Sequence, residues 1–169
     1  MASENAISAV SRTLVWLLVQ SGPGPEYGLS EADFVLVQAD DLLRRRPQRG
    51  ISVLLHRVSL NVVQRDQAPR RRGLENVPRS LPLELHYLII PWAASAELQH
   101  GLLGWTLRFF ERCASLGEDL LNQCSPGSFG PEESVPLLAD PPEPALEAFV
   151  RAGLVLPPSA GLVARVLMS

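Results

Sequence analysis

Three histidines, His56, His86 and His100, and two cysteines, Cys113 and Cys124, are the side chains of this 169-residue sequence best suited to hold a metal or activate a nucleophile. The cysteines have no second pair and no histidine at zinc-like spacing, so a structural zinc site does not follow from them. Cys113 falls on a helical pattern and reads as a small buried apolar residue. On neighbouring antiparallel strands His56 and His86 could face each other and, with His100, converge on a metal. No Asp or Glu at ligand spacing accompanies them, so the plainer reading puts each imidazole at a core edge, hydrogen-bonded to backbone. Asp40-Asp41 and Glu132-Glu133 are adjacent pairs on loops, where carboxylates are solvated rather than held across a cleft as acid and base. Gly101-Leu102-Leu103-Gly104 lies within a helix pattern and lacks the lysine and hydroxyl of a phosphate loop. There is no serine nucleophile elbow. The sequence therefore points away from an enzyme and implies no metal and no cofactor.

The remaining concentrated chemistry is positive charge. All 15 basic residues are Arg, and nine of them fall in two clusters: Arg44, Arg45, Arg46 and Arg49, then Arg65, Arg70, Arg71, Arg72 and Arg79. Such runs form solvated loops, or face an acidic partner surface or a phosphate backbone. No aromatic residues are interleaved to stack on single strands, and the net charge of −3 argues against a surface built for nucleic acid. Thr13 to Val19 is too short an apolar run to span a bilayer, and Glu4 stands where a secretory signal needs basic residues. A cytoplasmic protein without a membrane partner is expected.

The elements that must position these groups follow from periodicity. Ile7, Val10, Leu14, Leu17 and Leu18 recur at helical steps from Ala6 to Gln20, with Ser3 or Asn5 as cap and Gly22-Pro23 as terminator. Phe34 to Gln38 is a short strand. Ile51 to Val63 is apolar on both faces and reads as a central strand, with Ile51, Val53, Leu55, Arg57 and Ser59 on one face. Gln64 to Ser80 has too few apolar residues to bury and is expected to be a mobile loop. Leu81 to Trp92 returns as the second arm of a long antiparallel hairpin, which Pro91 should end. Ser95 through Leu116 reads as one long helix capped by Ser95 and closed by Gly117. A strand from Ser134 to Leu138, a helix from Pro144 to Ala152 and a last strand from Gly161 to Met168 complete the chain. The expected architecture is a single α+β domain over residues 1–169, a small mostly antiparallel sheet packed with helices.

Three stretches then carry a family resemblance: Leu54-Leu55-His56-Arg57-Val58-Ser59-Leu60-Asn61, Leu81-Pro82-Leu83-Glu84-Leu85-His86-Tyr87-Leu88-Ile89-Ile90, and Glu97-Leu98-Gln99-His100-Gly101-Leu102-Leu103-Gly104. A strand followed by Asn, an arginine-rich loop, a Pro-Leu-x-Leu strand and a helix opening with His-x-Leu-Leu-Gly together cover about the middle third of the chain. The pattern resembles the N-terminal domain of the cap, or tail-terminator, proteins of phage-tail-like contractile injection systems. His56 stands where such proteins often have tyrosine.

The resemblance implies a structural protein without catalysis. It would form a ring, a hexamer, at the end of the particle away from the baseplate, where it stops polymerisation of the inner tube and the sheath. The implied partners are further copies of the chain, the tube protein and the sheath protein. A ring needs head-to-tail contacts between copies. The C-terminal run containing Leu162, Val163, Arg165 and Val166 is expected to offer an exposed strand edge for such a contact. The arginine clusters are expected to meet an acidic rim. Two alternatives share this sequence pattern: an adaptor associated with the sheath or baseplate, and a nucleic-acid-binding module.

Overall fold

In the computed structural model the chain is described over residues 2–61, 63 and 80–168. Helix α1 (Ala6–Ser21) is followed by two short 3-10 turns, Pro25–Tyr27 and Glu31–Asp33. Then come β1 (Phe34–Val37), α2 (Ala39–Arg44), β2 (Gly50–Leu60), β3 (Leu81–Trp92) and α3 (Ala96–Arg112). The chain closes with β4 (Ser115–Gly117), α4 (Glu118–Cys124), β5 (Ser134–Asp140), α5 (Glu143–Arg151) and β6 (Ala160–Met168). The strands form one sheet in the order β1-β2-β3-β6-β5-β4. Only β1 and β2 run parallel, so the expected α+β domain with a mostly antiparallel sheet is what the chain builds.

Each face of the sheet has its own core. On the inner face Ile51, Val53, Leu85, Tyr87, Ile89, Leu162, Ala164 and Val166 pack against the buried stripe Ala6, Ala9, Val10, Leu14 and Leu18 of α1. The three- and four-residue steps of that stripe are what make α1 form where it does, because each fully buried leucine removes enough apolar surface from water to contribute about 2 kcal/mol. The Tyr87 phenol is buried beside α1, its oxygen 2.8 Å from Ser11 Oγ. On the outer face Leu54, Leu88, Ile90 and Trp92 are covered by Leu42 of α2, by Leu146 and Phe149 of α5, and by Leu154 beyond it.

The hairpin β2–β3 departs from the expected pattern at His56. Leu55 pairs with Tyr87 and Arg57 with His86, so His56 is an extra residue, a β-bulge. Cross-strand partners share a face. Leu55 therefore joins Tyr87 on the inner face, while Arg57 and Ser59 are carried to the outer face with His86 and Glu84. The expectation that Ile51 through Ser59 keep one alternation is corrected by this single inserted residue.

Three other boundaries differ for identifiable reasons. Pairing runs past Pro91 to Gly50 and Trp92, and beyond Ile89 strand β3 has lost β6 on its other side. A proline there costs no second ladder. Helix α3 stops at Arg112, and Leu116, expected on the helix, lies fully buried in a short strand paired with β5. Cys113 is only partly buried, at the helix end, where burial still pushes its thiol up from the ordinary value. The expected mobile loop, residues 64–80, falls outside the described residues except for Ser80.

Candidate functional site

Arg44 ends α2, Arg45 follows it, and Arg46 and Arg49 lie on the connection to β2; all four are exposed. They gather at the β1 end of the sheet. Arg49 Nε is 3.2 Å from Asp33 Oδ1. Asp33 is held below the ordinary carboxylate range, first by the Ser30 backbone N–H it accepts and, with burial opposing, by the Ser30 hydroxyl and Arg49. Arg65, Arg70, Arg71, Arg72 and Arg79 lie outside the described residues.

The C-terminal strand is not an edge. β6 runs between β3 and β5, so Leu162, Val163 and Val166 are buried core residues rather than groups offered to a neighbour. This corrects the expectation of an exposed C-terminal edge. The reason is the apolar spacing of the run itself, which fills the inner face through Leu162, Ala164 and Val166. Arg165 does project to the surface, with Nε 3.0 Å from Glu84 Oε1. Among the described residues, the open edges are β1 and, at the other end, β4 together with the part of β5 that β4 does not reach.

Below the cover of α2 and α5, the outer face carries a polar cluster that sequence reasoning did not assemble. His86, 4% exposed, sits at its centre. Its Nδ1 is 2.9 Å from Asp140 Oδ2, and its Nε2 is 3.0 Å from Ser59 Oγ. Arg57 Nη2 lies 3.0 Å from Nε2 and 3.1 Å from Nδ1. Glu84 beside it accepts from both Arg165 Nε and Asn61 Nδ2. His86 thus bonds side chains of β2 and β5 and not the backbone, which corrects the expectation for this histidine. The connectivity Ser59–His86–Asp140 is that of a charge-oriented nucleophile. Its surroundings are not: the Arg57 guanidinium occupies the space at both ring nitrogens, and the serine lies near the end of strand β2 rather than on a strand-to-helix turn. The cluster ties four strands together.

His56 stands beside it, its ring centroid 6.2 Å from that of His86 and tilted by 57°. Burial first, then the electrostatic influence of the neighbouring His86 and Arg57, holds its pKa below the ordinary value, against a smaller opposing pull from Asp140. The two histidines do meet across the hairpin as the sequence suggested. Among the described residues, however, no group of three or more His, Cys, Asp or Glu is arranged to hold a metal ion. His100 belongs to α3, whose Leu102 packs into the inner-face core.

At the β1 edge the surface is apolar. A cavity of about 760 Å³ opens between α1 and β1, lined among others by Val15, Trp16, Val19, Phe34 and Leu36. A second, of about 390 Å³, lies at the upper end of β1 against Leu54, His56 and Phe149. Leu36 lines both and is 50% exposed.

Comparison with known proteins places this arrangement. A family model described as the Pvc16 N-terminal domain matches residues 9–151, most of the chain. The chain belongs to the Pvc16 N-terminal domain family. The match begins within α1 and takes in the remaining helices and β1 through β5, including the Arg57–His86–Asp140 cluster and the open β1 edge. The fold of this Pvc16 N-terminal domain is similar to a solved chain titled "Cryo-EM Structure of an Extracellular Contractile Injection System, PVC sheath/tube terminator in extended state". The two superpose with a TM-score of 0.58 at 13% identity, over 96% of this chain and 56% of that one. The chain thus spans little more than half the length of that terminator. No curated protein sequence matches it.

The residues that sequence reasoning missed are Leu36, which lines both cavities, and the Ser59–His86–Asp140 set. Leu36 carried no signal beyond being apolar in a short strand. The histidine cluster depends on the bulge and on a contact 54 positions apart in the chain, which no local pattern encodes.

Proposed function

We propose that this domain is the capping part of a contractile injection system, a structural element that ends the polymerisation of sheath and tube at the end away from the baseplate. The observation that carries the reading is the agreement of the fold, over nearly the whole chain, with a chain titled as a sheath/tube terminator, in a chain of the Pvc16 N-terminal domain family. In this reading the domain acts as a ring of identical copies, six in number by the family resemblance, bound to tube and sheath and working without catalysis in the cytoplasm. Such a ring needs one surface on each copy to meet a different surface on the next, and closure keeps it from becoming a filament. The exposed Arg44, Arg45, Arg46 and Arg49 at one end of the sheet fit an acidic rim on a partner. Arg65, Arg70, Arg71, Arg72 and Arg79, with Arg165, extend the same proposal.

The test is the mass in solution, by light scattering after size exclusion, with and without purified tube protein. A closed oligomer, or a monomer that becomes one on tube, is expected. A persistent monomer that ignores tube, in a protein found at the baseplate end of particles, would overturn the cap in favour of an adaptor.

A further inference from the structure

Strand β1 has a partner on one side only. Apart from its ladder to β2, the backbone of Val35, Leu36 and Val37 makes no hydrogen bond among the described residues. Edge N–H and C=O groups in this state are a template for a further extended chain. None of the four residues of β1 is a proline or carries a charge that would blunt the edge.

The space beside the edge is shaped for such a chain. The 760 Å³ groove lies between Phe34 and Leu36 of β1 and Cys124 of α4, over Val15, Trp16 and Val19 of α1. Those three α1 residues stand off the stripe that packs on the sheet and are only half-buried. Phe34 and Leu36 stand opposite Ile51 and Val53 and so belong to the inner face. A strand laid along β1 would turn every second side chain the same way, onto Val15, Trp16 and Val19.

Size and charge narrow what this strand is. A second copy continuing the sheet head-to-tail would bring its far edge, whose inward positions are Leu116 of β4, already fully buried, and Ala139 of β5, a single methyl group. A second β1 would bring Leu36 and a Phe34 that is already buried in its own copy. Neither fills the groove. Charge selects no partner either, because the surroundings carry both signs: Arg12 and Glu31 in the lining, and Asp40 and Asp41 in the helix after β1. Recognition is left to main-chain pairing and to apolar side chains at alternate positions, which is how a sheet edge takes up an extended peptide.

We propose that β1 takes up an extended segment of a different protein, bound by main-chain hydrogen bonds along Val35, Leu36 and Val37, with large apolar residues at alternate positions seated over Val15, Trp16 and Val19. The proposal names the occupant of one edge and stands apart from the ring of the cap reading.

The experiment titrates the full chain with three synthetic peptides in which Val, Leu or Phe alternates with Thr, and follows amide hydrogen exchange across residues 34–37 by mass spectrometry. At least one peptide is expected to protect these amides saturably and with little dependence on salt, and its counterpart with a methylated main chain, which keeps the side chains and loses the N–H donors, binds at least tenfold more weakly. No protection by any of the three overturns the proposal. Equal binding of the methylated peptide overturns it as well, because the groove then takes apolar groups without strand pairing. Protection that needs no peptide and rises with protein concentration, together with a rise in mass by light scattering, assigns the edge to a second copy and also overturns it. Each of these outcomes leaves the cap reading to its own test.

Discussion

His86 Nδ1 and Asp140 Oδ2 lie 2.9 Å apart although 54 positions separate them in the chain. The contact reaches from β3 to β5 over the intervening β6. With Ser59 and Arg57 of β2 on the same imidazole, it links β2, β3 and β5 on the outer face. A buried polar group satisfied in this way specifies register, whereas the same group left unpaired is costly.

Removing the carboxylate should therefore destabilise the fold. Asp140→Ala strips a partner from a buried imidazole and is expected to lower unfolding stability by about 1–3 kcal/mol, while Asp140→Asn, which keeps an acceptor, costs less than half as much. Urea unfolding checks this. An alanine variant as stable as the parent would show that the contact holds nothing.

Gly50 opens β2 with φ of 106°. A Cβ at this position would run into the Asp33 carbonyl oxygen, a backbone atom that cannot rotate away. Gly50→Ala combines a disfavoured backbone conformation with that clash, so a loss of about 2 kcal/mol or more is expected in thermal or urea unfolding. Parent-like stability would contradict the local geometry.

The lowered pKa of His56 fixes the sign of a pH effect. Between its folded value and the ordinary 6.5, the unfolded chain binds more protons than the folded one. Stability is then retained above about pH 6.5 and lost as pH falls through that window. His56→Gln should flatten this part of the profile, and urea midpoints measured from pH 7.5 to 5 for both proteins decide it. Equal slopes would assign the dependence elsewhere.

Much of the fold was legible because its signals are local. The helical steps of α1, the apolar run of β2, the alternation of β3 and the cap at Ser95 each announce an element within a dozen residues. The Ser95 side chain does accept from the Leu98 N–H. What the sequence hid was relational. One inserted residue at His56 moved Arg57 and Ser59 to the other face, and the long-range partners of His86 became its neighbours only through that shift. Leu116 left its helix because a buried place in the core outweighed local propensity. β6 has the β-rich composition of an edge strand, and only the order of the whole sheet shows it to be internal.

The arginines should act through charge alone. Replacing Arg44, Arg45 and Arg46 together by Ala is expected to leave the fold intact and to weaken binding to tube or sheath most at low salt, where screening is least. The same holds for Arg70, Arg71 and Arg72. Binding isotherms at low and high salt that coincide with those of the parent would remove these residues from the contact.

The cap reading is tested most directly by the length of the particles. In cells lacking this protein, electron microscopy should show tube and sheath of variable, extended length with open ends, and restoring the full chain should return uniform particles carrying a density at the end away from the baseplate. Particles of uniform length and normal ends in its absence would contradict the account.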